Sequence, residues 1–390
     1  DLEDWRALIA QKDELVATMR QDKYAGLLPS YNTIAYMEGP ARLTGDGVAV
    51  NGTLLHPGSI VITTGASAAV PPVAGIEDVP YLTSTTAMEL ERLPASMLVI
   101  GGGYIGCELA QMFARAGVKV TILCRSRLLP EAEPEISEAL SGYFRDEGIT
   151  VRDGISYREI RRRSEGVALS IGVDGGRETV EAEKVLLATG RRPNTEGLGL
   201  AEAGVDLTAA GGIKVDEWMR TTNPAIYAAG DVTGEDMFVY MAAYGAKIAA
   251  ENALNGDSRR YDRAAMPSVV FTDPQVASVG LTETEARARG LEVRTSTLPL
   301  AHVPRALAAR DTRGLIKLVA ETETGRLLGA HILAPEGSDS IQTAALAIKQ
   351  GLTFTDLAET IFPYLTTVEG LKLAAQAFDK DVSKLSCCAG

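Results

Sequence analysis

Cysteine is scarce: the 390 residues hold four, and two of these are the adjacent pair Cys387-Cys388 at the carboxyl end. So few thiols, without the spacing of a stapled secreted domain, exclude a disulfide-built scaffold and point to a reducing cytoplasm. Histidine is scarcer still. His56, His302 and His331 are too scattered to form a metal cluster by spacing. Basic charge is outweighed, 38 Lys and Arg against 51 Asp and Glu, for a net charge of −13. The one short basic run, Arg161-Arg162-Arg163, lies between Glu159 and Glu165 and reads as a solvated face. Nucleic acid and anionic membrane surfaces require a cationic footprint, so neither is a partner. No apolar run approaches the ~20 residues of a membrane-spanning helix, which excludes membrane insertion of that kind. The first twenty residues are charged, unlike a signal peptide.

What is present is the alternating texture of an α/β chain, long enough for roughly two to three domains. Apolar positions at helical spacing over Leu2–Met19 predict an amphipathic helix. Short β-like runs follow at Ile34–Met37, Gly47–Val50 and Ser59–Thr63, then a strand at Met97–Ile100, a helix over Ile105–Ala116 and a strand at Lys119–Leu123, which together make a βαβ unit. Two further runs, Lys184–Gly190 and Ile226–Asp231, look like related closing strands of two nucleotide-type halves, the second leading into a helix over Val239–Leu254. After Asp257-Ser258 strand-like segments alternate with two helical stretches, so an α+β domain is expected beyond residue 262.

The βαβ unit carries the sharpest motif. Strand Met97–Ile100 runs into Gly101-Gly102-Gly103-Tyr104-Ile105-Gly106, which fits G-x-G-x-x-G at Gly101, Gly103 and Gly106. The three glycines serve a tight turn, a close approach of pyrophosphate to backbone, and helix–strand packing, with the helix N-terminus facing the phosphates. A plain glycine-rich turn is the alternative, and the strand-before, helix-after context weighs against it. The second strand ends in Leu123-Cys124-Arg125-Ser126-Arg127, with no carboxylate before Glu131. An NAD site places an acid there for the ribose 2′-hydroxyl; Arg125 and Arg127 suit a 2′-phosphate, so NADPH is the expected nucleotide, the alternative being two ordinary surface charges. Cys107 and Cys124 read as small packed residues. The terminal Cys387-Cys388 pair follows a polar stretch with nothing downstream to pack on, which suggests thiol exchange or capture of a soft metal, against the alternative of a frayed end or chance vicinal disulfide.

The string Ala188-Thr189-Gly190-Arg191-Arg192-Pro193-Asn194, followed by Thr222–Asp231 with its closing Ala229-Gly230-Asp231, resembles the flavoprotein pyridine nucleotide-disulfide oxidoreductases. The resemblance implies Rossmann-like FAD- and NAD(P)-binding domains followed by an α+β dimerisation domain. The implied order is residues 1–92 as the remainder of the FAD domain, 93–220 for NADPH, 221–262 as the return of the FAD domain and 263–390 for dimerisation. It implies that Asp231 holds the flavin's ribityl chain, that Val239 lies near the isoalloxazine, that Ala41 offers a backbone contact to the adenine half of FAD, and that Glu108 belongs to the nicotinamide end, where relatives pair it with a lysine. A carboxylate at a strand's carboxyl end is suited to accept sugar hydroxyls; helix N-capping is the other reading of Asp231.

Phe362–Lys372 and the Cys387-Cys388 tail are similar to the branch of this family that reduces mercuric ions, and that similarity extends over the whole chain. Relatives that reduce lipoamide or glutathione place a catalytic histidine where this sequence has Tyr364, with a glutamate at the position of Glu369. A disulfide substrate needs a proton shuttle near neutral pH, which a phenol of pKa about 10 does not supply, whereas Hg(II) needs thiolates and electrons. The resemblance implies that Tyr24 and Tyr364 flank the metal, and that Cys387 and Cys388 take Hg(II) from its thiol complexes and hand it across a homodimer interface. Packed tyrosines are the plainer reading of the first pair. No second G-x-G-x-x-G and no Cys-x-x-x-x-Cys occurs in the sequence, so the expectation is an N-terminally incomplete FAD domain in a chain that begins after both motifs. Two alternatives stand beside mercury reduction: an NADPH-dependent disulfide reductase of the lipoamide or glutathione type, and a non-catalytic nucleotide- and metal-binding remnant.

Overall fold

The computed structural model describes residues 4–173 and 175–381. They form two compact units, one containing Val70–Thr189 and the chain from Arg263 onward, the other Asp4–Ala69 and Gly190–Asp262. The sequence reading places divisions at 92/93, 220/221 and 262/263; the units divide at 69/70, 189/190 and 262/263.

The first unit contains a four-stranded parallel sheet in the order Lys184–Leu187, Ser96–Ile100, Lys119–Leu123, Thr150–Arg152. Met97 to Ile100 are all buried, the near-continuous apolar run of a parallel strand covered on both faces. Helices Tyr104–Arg115 and Pro134–Asp146 follow the second and third strands of that order. An antiparallel meander, Ser156–Arg163, Gly166–Val173 and Gly176–Ala182, contributes Ile160, Leu169 and Ile171 to one core with Leu98, Leu123 and Val185. The remainder of the unit is a five-stranded antiparallel sheet ordered Pro267–Val270, Gln275–Gly280, Leu327–Ala334, Leu315–Glu321, Val293–Pro299. Helices Gly337–Lys349 and Glu369–Gln376 bury Ile341, Ala344, Leu371 and Ala374 with Ile316, Leu318 and Ile332 of that sheet.

A buried ion cluster joins the two sheets' surroundings. Lys317 Nζ lies 3.0 Å from Glu133, 2.9 Å from Glu135 and 3.1 Å from Glu283, and Glu133 also accepts the Glu283 amide at 2.7 Å. His331 Nε2 sits 3.0 Å from the Leu281 carbonyl, so that nitrogen carries the proton, and Nδ1 is buried with no partner among the described residues.

The second unit begins with helix Trp5–Arg20, where Asp4 accepts the Ala7 amide at 3.1 Å as N-cap. A π-helical turn, Gln21–Ala25, continues it. The run Ile34–Met37 is not a strand: it lies between Pro29 and Gly39-Pro40 and finds no ladder among the described residues. Ala41–Thr44, Gly47–Val50 and Thr53–Leu55 form an antiparallel sheet. Ile60–Ile62 pairs in parallel with Ile226–Ala228, as Ser96–Ile100 pairs with Lys184–Leu187, so each closing strand joins the ladder of its own unit. Ile62, Ile213, Ile226 and Val232 make this unit's core, and helix Val239–Asn255 follows.

Candidate functional site

The glycine turn is built by sterics. Gly101 has φ +115°, and a Cβ there would sit 2.2 Å from the Ala188 carbonyl oxygen. A Cβ on Gly106 would lie 2.1 Å from the Gly101 carbonyl. Around Gly103, by contrast, an added Cβ meets nothing within 4 Å, which leaves open the side on which a ligand approaches. Gly103 is the N-cap of the twelve-residue helix Tyr104–Arg115, and that helix brings free amides and a positive dipole end to the same point. A dinucleotide pyrophosphate fits this cradle in shape and charge.

At the end of the neighbouring strand, Arg125 and Ser126 are exposed. Arg127 is turned back into its own loop: its Nη2 donates to the carbonyls of Pro130 at 3.0 Å and Ala132 at 2.7 Å. Two thiols lie beneath the glycine turn, where Cys107 donates to the Gly102 carbonyl at 3.5 Å and Cys124 to the Ser126 carbonyl at 3.2 Å. Burial, with Asp153 nearby, pushes the Cys124 thiol up to about 12, and burial raises Cys107 as well. Metal capture needs thiolate, so both are packing residues at neutral pH.

The fingerprint helix also carries a polar stripe that the sequence reading missed apart from Glu108. Tyr104 hydrogen-bonds Ser268, and burial outweighs that bond to raise its pKa. Glu108 accepts the Phe271 amide at 2.8 Å. Gln111 exchanges two hydrogen bonds with the backbone of Asp273, each 2.8 Å. Arg115 reaches Glu147 at 2.7 Å and Asp273 at 2.9 Å. The 4-3-4 spacing of these positions was the available signal, since it puts them on one helix face. Burial raises the Glu108 carboxyl, and the Phe271 amide only partly offsets it. The lysine that pairs with this glutamate in relatives is not expected in this chain, and Glu108 meets the Phe271 backbone amide.

In the other unit, Asp231 follows strand Ile226–Ala228 in the turn Gly230–Thr233 and pairs with Arg191 at 3.3 Å. It caps no α-helix; the N-cap of Val239–Asn255 is Phe238. Val239 is 81% exposed and Tyr24 70% exposed. Ala41, also exposed, opens the first strand of its sheet. Asp231 suits a polyol chain as an acceptor; a phosphate turn for the ADP half of FAD is not found among the described residues, and no step below is routed through the flavin. Tyr364 belongs to the first unit and is 53% exposed. The next residue, Leu365, has φ +61°, and its amide donates to Glu369 at 3.2 Å. Glu369 is buried and thus supports the Tyr364 loop through backbone. Cys387 and Cys388 lie outside the described residues. Among the described residues no group of three or more His, Cys, Asp or Glu is placed to hold a metal, and no helix is long and apolar enough to cross a membrane.

Residues 7–249 match the family model for pyridine nucleotide-disulphide oxidoreductases, and residues 266–375 match the dimerisation domain of the same family. The chain belongs to the pyridine nucleotide-disulphide oxidoreductases. It is therefore an oxidoreductase of a family that works with FAD and NAD(P)H and pairs through its C-terminal domain. Among curated relatives, a mercuric reductase of Streptomyces lividans is 48% identical over 99% of this chain and 83% of its own length. One from Shigella flexneri is 47% identical over 98% of this chain and 69% of its own length, and one from Bacillus cereus 45% identical over 99% and 62%. Among solved structures of the family, the HOCl-induced flavoprotein disulfide reductase RclA of Escherichia coli superposes with a TM-score of 0.86 at 32% identity, covering 96% of this chain and 86% of that one. LpdA of Mycobacterium tuberculosis gives 0.86 at 27% identity, covering 96% and 84%.

Proposed function

We propose that this oxidoreductase reduces mercuric ion with NADPH. The observation that carries the reading is Tyr364, a phenol where disulfide-reducing relatives place an imidazole, above a Glu369 that braces the loop backbone. Relatives of known name support the same substrate. The overall change is NADPH + Hg(II) → NADP⁺ + H⁺ + Hg(0), in which nicotinamide loses a hydride and the metal gains two electrons. FAD, when bound, would accept that hydride and release the electrons to the metal.

The chain's own residues do the rest. Gly101, Gly103 and Gly106 admit the pyrophosphate to the helix N-terminus. Arg125 and Ser126 take the 2′-phosphate, which selects NADPH over NADH. Asp231 and Val239 contribute to the flavin side, and Ala41 to its adenine half. Tyr24 and Tyr364 flank the metal path, and Cys387-Cys388 strip Hg(II) from solvent-borne thiol complexes by exchange, breaking one Hg–S bond as another forms. The four-part division 1–92, 93–220, 221–262, 263–390 assigns these parts to FAD, NADPH, FAD return and pairing. A cysteine-poor, acidic chain fits the reducing cytoplasm.

The deciding experiment offers the purified dimer thiol-complexed Hg(II), oxidised glutathione and oxidised lipoamide in turn and follows NADPH oxidation together with mercury vapour. Hg(II)-dependent oxidation with vapour release, lowered by Cys387→Ala/Cys388→Ala at limiting metal, is expected. Faster turnover of either disulfide overturns the reading in favour of a disulfide reductase. A colourless protein that binds NADP⁺ and turns over none of the three overturns it in favour of a nucleotide-binding remnant.

A further inference from the structure

The loop after strand Lys119–Leu123 gives its two arginines different surroundings. Arg125 is exposed beside Ser126. Arg127 spends one nitrogen on two carbonyls, those of Pro130 and Ala132, and its Nε is buried with no partner among the described residues. A guanidinium recognises a phosphate by presenting a solvent-facing edge of its fork, and a buried Nε removes the edge that includes it.

The residues enclosed by that bridge touch the glycine turn. Leu129 donates its amide to the Gly102 carbonyl at 2.7 Å and holds φ +43°, a left-handed conformation unfavourable for leucine. Leu128 Cδ2 lies 3.0 Å from where a Gly102 Cβ would be, and Ser137 donates to the Leu128 carbonyl. Both leucines are fully buried. The loop from Arg127 to Ala132 is thus a closed ring, tied at its ends by one guanidinium and pressed at its middle onto the turn that receives pyrophosphate.

We infer that Arg127 is a positioning residue: it fixes the 127–132 ring so that Leu129 holds the glycine turn in its binding form, and recognition of the 2′-phosphate falls to Arg125 with Ser126. This rests on the NADPH reading only for the part played by Arg125. The clamp on the pyrophosphate turn serves NADP⁺ and NAD⁺ alike, since both carry the pyrophosphate.

The test is calorimetric titration of the intact protein with NADP⁺ and with NAD⁺, alongside its melting temperature, for Arg125→Met, Arg127→Met and Arg127→Lys. Arg125→Met is expected to weaken NADP⁺ about tenfold or more and leave NAD⁺ unchanged, the scale of a charged hydrogen bond. Arg127→Met is expected to weaken both nucleotides by a common factor of about three to ten and to lower the melting temperature. Arg127→Lys keeps the charge and loses the fork, and it should behave as Arg127→Met; being the milder change, it keeps the question answerable where the methionine variant fails to fold. Selective loss of NADP⁺ in Arg127→Met with retention in Arg127→Lys overturns the inference, because charge at 127 would then be reading the phosphate. Unchanged binding of both nucleotides in both Arg127 variants overturns it too. A wild-type protein with no preference for NADP⁺ sinks the NADPH reading alone, and an equal loss of both nucleotides at Arg127 still upholds the clamp.

Discussion

At the scale of single residues, chemistry depends on which atom of a side chain is free. Glu108 illustrates this. Its carboxyl is half-buried on the fingerprint helix and raised by desolvation, so folding favours its protonated form. The sign follows: a carboxyl whose folded pKa lies above the unfolded value destabilises the fold increasingly as pH rises through 4.5 and beyond. Glu108→Gln keeps an oxygen for the Phe271 amide and discards the desolvated charge. Its melting temperature at pH 8 should exceed that of the wild type, and the difference should vanish near pH 4. Equal melting curves at pH 8 would mean that the ionised carboxylate has a compensating partner. The family resemblance already singled out Glu108, as a residue of the nicotinamide end. It could not show that its neighbour is the amide of Phe271, 163 positions away in the chain. Arg127 was opaque for a similar reason. A string of two arginines reads as two free guanidinium groups until the carbonyls of Pro130 and Ala132 are seen to occupy one of them.

At the scale of elements, what was legible is what repeats at short range. The strand Lys119–Leu123 and the start of the helix at Val239 lie where the sequence puts them, because a buried parallel strand and an amphipathic helix each write their period locally. The meander Ser156–Ala182 was read only as mixed texture, since its first strand carries Arg158, Arg161, Arg162 and Arg163, all exposed, around a single buried residue, Ile160. The ion cluster was not legible at all: Glu133, Glu135, Glu283, Lys317 and His331 come from four elements or their flanking loops and meet only on folding. Its energetics are decided by burial. Lys317 loses hydration, which lowers its pKa, yet three carboxylates outweigh this and raise it overall. Lys317→Met should therefore cost about 3–5 kcal/mol by leaving Glu133 buried and unpaired, and adding Glu133→Leu should recover much of the loss. His331 has the opposite behaviour, with burial lowering its pKa from 6.5. A depressed histidine gives stability that is present above pH 6.5 and is lost as pH falls below it, because the unfolded chain takes up a proton that the fold refuses. Glu283, lowered by its bonds to Lys317 and Arg287, adds a second loss below its ordinary 4.5. Lys317 contributes stability that is full below 10.5 and is lost as pH rises through its higher folded value. Thermal stability should accordingly be flat between about pH 7 and 8 and decline on both sides, on the alkaline side from the ordinary 9.0 of a thiol, where the unfolded chain releases protons that buried Cys107 and Cys124 retain. In His331→Gln the decline between about pH 6.5 and 5 should be shallower; an unchanged acid limb would place the titration elsewhere.

At the scale of the molecule, the C-terminal domain is the pairing domain of the family, and its surface shows what pairing has to cover. Ile361 is 93% exposed, in the same loop as Tyr364 and Leu365, which are about half exposed. An isoleucine so placed is unusual on a solvent face and expected at an interface, where its partner surface removes it from water. In a two-fold dimer every substitution is made twice. Burying one isoleucine contributes about 1.5–3 kcal/mol, so losing it from both subunits removes at least about 3 kcal/mol before the cost of desolvating any charge placed there. Ile361→Asp should weaken association by a factor of at least about a hundred, since each 1.4 kcal/mol is tenfold. Sedimentation at micromolar concentration should then show a monomer where the wild type is a dimer. The consequence for function follows from the same loop. If Tyr364 lines a metal path completed across the two-fold axis, the monomeric variant should still bind NADP⁺ normally through its own glycine turn and yet fail to reduce Hg(II). A variant that is monomeric and still releases mercury vapour at the wild-type rate would show that each chain contains its own complete path, and would remove the reason for delivery by Cys387-Cys388 across an interface.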